Sequence, residues 1–192
     1  LIIYGINAYI DHREEQARLA ALPPMDVYGM LMGQFYNTNG SMETDELEAA
    51  MLGHFPDWKR VELELLSFSL EARSEFDIAM LQKALAMLAT ESPDIYILDK
   101  DTYPWLAHTG ILMELDDLAA GRLAPLLPEG AALEESGGEE AGVHIYGIDL
   151  TASPLIGELP LIKDSFIVGI RRDTERLDNA LHLIETYLKS IP

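Results

Sequence analysis

The chain contains no cysteine. That excludes disulfides, thiol nucleophiles, thiolate metal sites and a cysteine-borne lipid anchor within these 192 residues. It says little about compartment, because a core of this size needs no covalent staple. Basic residues are scarce: 13 Lys and Arg stand against 33 Asp and Glu, a formal net charge of −20. They form no run, which argues against nucleic acid, since a phosphate backbone rewards clustered Lys and Arg. Phosphate-cradling loops are missing as well; no G-x-G-x-x-G follows the first apolar run and no Gly-rich Lys-Ser/Thr loop occurs. Ser67, Ser69 and Ser153 lie in no G-x-S-x-G nucleophile elbow. His12, His54, His108, His144 and His182 are scattered with no two at metal-ligand spacing, and a zinc site without cysteine needs an unusual ligand set. The stretch from Asn37 to Glu43 is rich in oxygen, as a calcium loop is, but Phe35 stands where the first acid belongs. Acidic pairs such as Asp116-Asp117, Glu134-Glu135 and Glu139-Glu140 read as solvated faces in a chain of this charge. We therefore expect no catalytic residues, no metal and no cofactor, and read the chain as non-catalytic.

Long apolar runs are also lacking. The opening run Leu1 to Ile10 is apolar with Tyr4 and Tyr9 in it, half of the roughly 20 residues that cross a bilayer. It reads either as the exit half of a membrane helix, with the tyrosines at the interface, or as an amphipathic helix packed on the domain or on a second copy. The first residue is Leu rather than Met, so the natural start is expected to lie upstream or to have been removed. Pro23-Pro24 ends this helix, and residues 1–24 are taken as an appendage to a lobe spanning 25–192.

What is there is globular: 48% hydrophobic and 24% charged residues exclude wholesale disorder. Beyond the prolines, strand-like and helix-like runs alternate. Val27 to Met32 suits a buried strand, Glu43 to Phe55 a helix, and Val61 to Leu65 alternates apolar and charged residues with one wet face. Ser74 and Asp77 have the spacing of a capping box, opening a helix to Thr90 whose apolar stripe is Ile78, Leu81, Leu85 and Leu88. Ile95 to Leu98 is a continuous apolar strand suited to a central position. Thr102 to His108 and Asp116 to Leu127 read as helices, and Glu129 to Gly142 as a solvated loop. His144 to Leu150 and Phe166 to Ile170 are two further strands, and the closing helix places Leu177, Ala180, Leu181, Ile184, Tyr187 and Leu188 on one face. The alternation predicts an α/β fold, a three-layer sandwich with a mostly parallel sheet, in which at least one of the later strands runs antiparallel.

Two stretches carry a family likeness. Ser92-Pro93-Asp94-Ile95-Tyr96-Ile97-Leu98-Asp99-Lys100, followed by Leu106-Ala107-His108-Thr109-Gly110-Ile111-Leu112-Met113-Glu114-Leu115-Asp116-Asp117-Leu118, resembles the extracellular, periplasmic-type solute-binding proteins. Tyr146 to Leu150, and Ile167 to Ile170 running into the helix to Leu188, are similar to the return strand and closing helix of the same family. The likeness covers residues 26–118 and 143–190. It implies one lobe of a periplasmic-binding-protein-like fold, an extracytoplasmic location and a binding role. A complete member has a second lobe between segments like 118 and 143, where only about 24 residues lie here, too few for an α/β lobe. The resemblance is therefore to a single truncated lobe, and one lobe offers half of a site that normally closes by a hinge.

Ligands of open parallel sheets sit beyond the carboxyl ends of the strands. That rule points to Gln34, Tyr36, Asn37 and Asn39 after the first strand, and to Asp99, Lys100, Asp101, Tyr103 and Trp105 after the third. Aromatic faces beside carboxylates suit a sugar or a cationic group; alternatively, Tyr103-Pro104-Trp105 packs on the sheet and the Asn-rich loop only turns the chain. Two functions follow as expectations. One is a membrane-anchored, non-catalytic interaction domain that contacts a protein partner; the other is a binding protein for a small sugar, peptide or cation that completes its site by dimerisation.

Overall fold

The computed structural model describes residues 2–139 and 141–192, and the side chains of these except residues 2–5 and 7. The expected interfacial placement of Tyr4 lies outside the described side chains, and Leu1 and Glu140 outside the described residues.

Helix α1 (Ile2–Ala21) precedes Pro23-Pro24, and β1 (Val27–Gly33) begins three residues later. Then follow β2 (Tyr36–Asn37), α2 (Asp45–Leu52), β3 (Val61–Ser67), α3 (Glu75–Thr90), β4 (Ile95–Leu98) and α4 (Thr102–Ala107). The second half comprises α5 (Asp116–Ala120), β5 (Ala132–Ser136), β6 (Val143–Asp149), α6 (Pro154–Glu158), β7 (Leu161–Ile162), β8 (Ile167–Ile170) and α7 (Leu177–Lys189). Six strands form one sheet in the order β3-β1-β4-β8-β6-β5, and β2 pairs with β7 in a separate ribbon. β3, β1 and β4 are parallel, whereas the β4–β8, β8–β6 and β6–β5 ladders are antiparallel. Four of the six strands thus share one direction, with β8 and β5 opposed.

Side chains alternate across each strand, so the sheet divides the core in two. On one face Val27, Leu31, Leu63, Ile97 and Val168 pack against Leu47 and Met51 of α2 and Leu181, Ile184 and Leu188 of α7. On the other, Met30, Met32, Tyr96, Leu98 and Tyr146 pack against Ala84 of α3 and Tyr103 and Leu106 of α4. The fold is three-layered α/β, as the alternation predicts. β4 lies between β1 and β8 with all four residues buried, the central place its unbroken apolar run indicates.

Three expectations are corrected. The stretch from Glu129 to Gly142 is not only a solvated loop, because Ala132–Ser136 pairs with β6 as an edge strand. Its Gly- and Glu-rich flanks mask a short alternation that becomes a strand only when β6 supplies the ladder. Gly138 (φ +110°) and Gly142 (φ +74°) take up the backbone angles of the intervening hairpin. The α3 stripe is also rotated. Ala84 is the fully buried residue, Leu81 and Leu88 flank it, and Ile78 and Leu85 are 46% and 50% exposed. The helix is apolar on several sides, so periodicity alone does not single out the face that meets the sheet. Its start is as expected: Ser74 Oγ accepts the Asp77 N–H at 3.1 Å and donates to the Asp77 carboxylate at 2.8 Å. α5 ends at Ala120, earlier than Leu127.

Among the described residues no helix is long and apolar enough to cross a membrane. In α1, Ile6, Tyr9, Ile10 and Leu19 are exposed.

Candidate functional site

The parallel strands β3, β1 and β4 end side by side, and the segments that leave them enclose a hollow of about 390 Å³. Gln34 comes from the end of β1, Ser69, Leu70, Glu71 and Arg73 from the loop after β3, and Asp99 to Thr102 from the turn between β4 and α4. One carboxylate organises this edge. Asp99, only 6% exposed, accepts the Gln34 N–H at 2.7 Å through one oxygen, and the Thr102 and Asp101 N–H groups at 2.7 and 3.2 Å through the other. The first of these bonds joins the end of β1 to the end of β4. Gly33 makes it sterically feasible: its φ is +129°, and a Cβ there would lie 2.5 Å from Asp99 Oδ2. The Lys100 N–H donates to Ser165 Oγ at 2.9 Å, fastening the same turn to the segment that enters β8.

Of the nine residues singled out by sequence, Gln34, Asp99, Lys100 and Asp101 line this hollow. Tyr36 is 47% exposed on β2, opposite Ile162 of β7, which is also exposed. Asn37 is buried and donates through Nδ2 to the carbonyls of Ser41 and Glu43 at 2.8 and 2.7 Å, closing the loop before α2. Asn39 is exposed, and its Oδ1 accepts the Ser41 N–H at 2.8 Å in a local turn. Tyr103 is buried; its hydroxyl donates to the Leu133 carbonyl at 2.6 Å and its ring fills the space left by Gly147. Burial pushes the Tyr103 phenol far above the ordinary tyrosine range. Trp105 is half-buried against the same core face. These two aromatic side chains therefore pack on the core, away from the hollow, and only Pro104 between them lines it.

Ser69, Leu70, Glu71, Arg73, Thr102 and Pro104 also line it and were not singled out as ligand-binding by sequence. The strand-end rule applies to β3 as much as to β1 and β4, and the position of β3 beside β1 is what brings its loop to the site. Arg73 pairs with Glu71 at the rim. The charged lining is two cations, Arg73 and Lys100, against three acids, Glu71, Asp99 and Asp101, a formal −1. Asp99 is committed to backbone N–H groups, so the polar groups turned outward are those of Lys100, Asp101, Ser69 and the ion pair. Such a surface hydrogen-bonds and pairs charges. Among the described residues no group of three His, Asp or Glu is placed to hold a metal ion.

No family model and no curated protein matches the chain. A solved structure similar to it is the ABC substrate-binding protein Lmo0181 from Listeria monocytogenes in complex with cycloalternan, at 17% identity and a TM-score of 0.35. The match takes in 65% of this chain and 29% of that one.

Proposed function

We propose that residues 25–192 are a single lobe of the solute-binding type, acting as a non-catalytic interaction domain at the extracytoplasmic face of the membrane. In this reading α1 is the end of an anchor, and the carboxyl edge of β3, β1 and β4 contacts a protein partner. The observation that carries the reading is the hollow at the ends of β3, β1 and β4, whose buried acid is consumed internally and whose other charged groups, Lys100, Asp101, Glu71 and Arg73, are exposed. A polar hollow with exposed charges suits a macromolecular surface better than an enclosed small-ligand site, which buries most of its ligand. The hollow's size favours a second reading, because about 390 Å³ falls within the range of small-ligand pockets, about 300–1,000 Å³. There, a small solute would be held between two copies.

A photo-crosslinker placed at Asp101 in the native membrane is expected to give a discrete protein adduct, and one at His182 on α7 none. In parallel, a thermal-shift screen against sugars, amino acids and divalent metals is expected to be flat. A ligand at about 100 times its dissociation constant stabilises by about 2.7 kcal/mol. A shift of that size that grows with chain concentration and disappears in the Lys100→Ala, Asp101→Ala double variant would replace the first reading with the second.

A further inference from the structure

The end of the sheet opposite the strand-end hollow also receives the carboxyl end of a strand. β8 runs antiparallel to β4, with Ile170 in register with Ile95, so it finishes where β1 and β4 begin. The rule that ligands gather beyond carboxyl ends therefore marks this end as well. A hollow of about 520 Å³ lies there, within the range of about 300–1,000 Å³ for ligand pockets. Its walls come from Met25 and Tyr28 at the start of β1, Glu91 and Ser92 after α3, and the segment that joins β8 to α7.

Asp94, 2% exposed, fastens that segment. One of its oxygens accepts the Thr174 hydroxyl at 2.7 Å, the other accepts the Tyr28 N–H at 2.8 Å, and Arg176 Nη1 donates to both at 3.3 Å. The Asp94 carbonyl accepts the Arg171 N–H at 2.9 Å. The charges of Asp94 and Arg176 thus cancel within the wall. Arg171 differs. Of the three half-buried arginines, Arg60, Arg171 and Arg176, it alone has no carboxylate partner among the described residues. Its side chain borders the hollow. A guanidinium drawn out of water without a counter-charge is unfavourable, and an incoming anion relieves it. The Tyr28 phenol on the same hollow remains a neutral donor, because burial, with Glu91, Glu64 and Glu62 nearby, pushes it far above the ordinary tyrosine range. Glu91, Asp173 and Glu175 are exposed around these donors.

From the unpaired Arg171 in this hollow we infer that it takes the carboxyl terminus of a partner protein, with the terminal carboxylate on the Arg171 guanidinium and a Lys or Arg just upstream facing Glu91 and Asp173. A planar guanidinium holds a carboxylate through two parallel N–H donors, and capture of a chain terminus is a recurring mode of peptide recognition. Charge selects among anions. The field of a chain at −20 repels a phosphate, with nearly two negative charges, more than a single carboxylate. The exposed acids favour a ligand whose anionic end is followed by a cation, which a basic tail supplies and a simple acid does not. The last side chain of the tail lies toward Met25 and Tyr28, the apolar part of the lining.

The test uses the full chain and a set of fluorescein-labelled hexapeptides ending in Lys-Ala-x, where x is each apolar residue in turn, read by fluorescence anisotropy. At least one is expected to bind, and its C-terminal amide, which lacks the carboxylate, to bind at least about tenfold more weakly. Arg171→Gln should cost about tenfold as well, with Arg171→Lys losing less because it keeps the charge but not the fork. Arg172→Gln removes the same charge from an exposed neighbour and should leave binding unchanged. In the unaltered protein the Arg171 side-chain nitrogen resonances should shift on adding the peptide, a readout that needs no variant to fold. Acetate at the peptide's concentration should not displace it; displacement would assign the hollow to small acids instead. Equal binding of the amide, equal loss in Arg172→Gln, or no anisotropy change at millimolar concentration would overturn the inference. The inference rests on the protein-partner reading but concerns the opposite end of the sheet: Lys100→Ala with Asp101→Ala should leave peptide binding unchanged, so either can fail alone.

Discussion

Asp99 shows how a residue can be found by the right rule and still have an unexpected task. The strand-end rule places it at the site, but its oxygens are spent on the N–H groups of Gln34, Asp101 and Thr102. That role was not legible in the sequence, because Gln34 lies 65 positions away and meets Asp99 only when β1 and β4 pair. Asn37 is similar; the sequence offers a polar loop residue, and the fold makes it the staple of the turn before α2. Asp99→Ala leaves these donors without an acceptor, and an unsatisfied buried donor costs about 1–3 kcal/mol. We expect a stability loss of about 2–4 kcal/mol in urea denaturation, given that only part of the cluster is fully buried. Gly33→Ala should lose stability as well, through both the positive φ and the approach of its Cβ to Asp99. A stability unchanged by both substitutions would mean that the strand ends are not joined through this carboxylate.

At the scale of elements, legibility follows the strength of the pattern. α7 carries one clear apolar face, and Ala180, Leu181, Ile184, Tyr187 and Leu188 are all buried as the spacing indicates. α3 is apolar over most of its circumference, so the face it buries was decided by the sheet beneath it. Ala84 became the contact because a small side chain lets the helix approach closely, and Ile78 and Leu85 turned outward. Leu85→Gln is accordingly expected to change stability by less than about 0.5 kcal/mol. Ala84→Leu should cost about 1–3 kcal/mol by overpacking, and thermal melts of the two variants measure the difference. The reverse order would restore the stripe through Ile78 and Leu85. β5 was illegible for a different reason: a five-residue strand between Gly-rich segments has no pattern longer than its own noise, and only pairing with β6 defines it.

For the whole molecule the dominant quantity is charge. A formal −20 disfavours the compact state through self-repulsion, which salt screens within about 10 Å at 0.1 M. Specific pairs oppose this, among them Arg122 with Glu185 at 2.5 Å and Arg176 with the buried Asp94 at 3.3 Å. The Arg122 guanidinium holds the Glu185 carboxyl below the usual glutamate range. Because exposed pairs contribute little each, repulsion should win. Raising sodium chloride from about 0.02 to about 0.3 M is expected to stabilise the protein by roughly 1 kcal/mol, or about 2–4 °C in melting temperature. A falling melting temperature would mean that the ion pairs outweigh the repulsion.

Composition and periodicity by themselves determined the fold class, the central place of Ile95–Leu98, the capped start of α3, the break at Pro23-Pro24 and the ends of β1 and β4 as the places to look for a site. These are local properties, set by side-chain spacing and backbone preference within a few residues. Tertiary structure alone decided the strand order, and with it the arrival of the β3 loop at the site, the capture of Asp99 by Gln34, the orientation of α3 and the bond from the Leu63 N–H to Glu48. Each of these depends on contacts between distant segments, where the burial of one element sets which face and which backbone groups of another remain free.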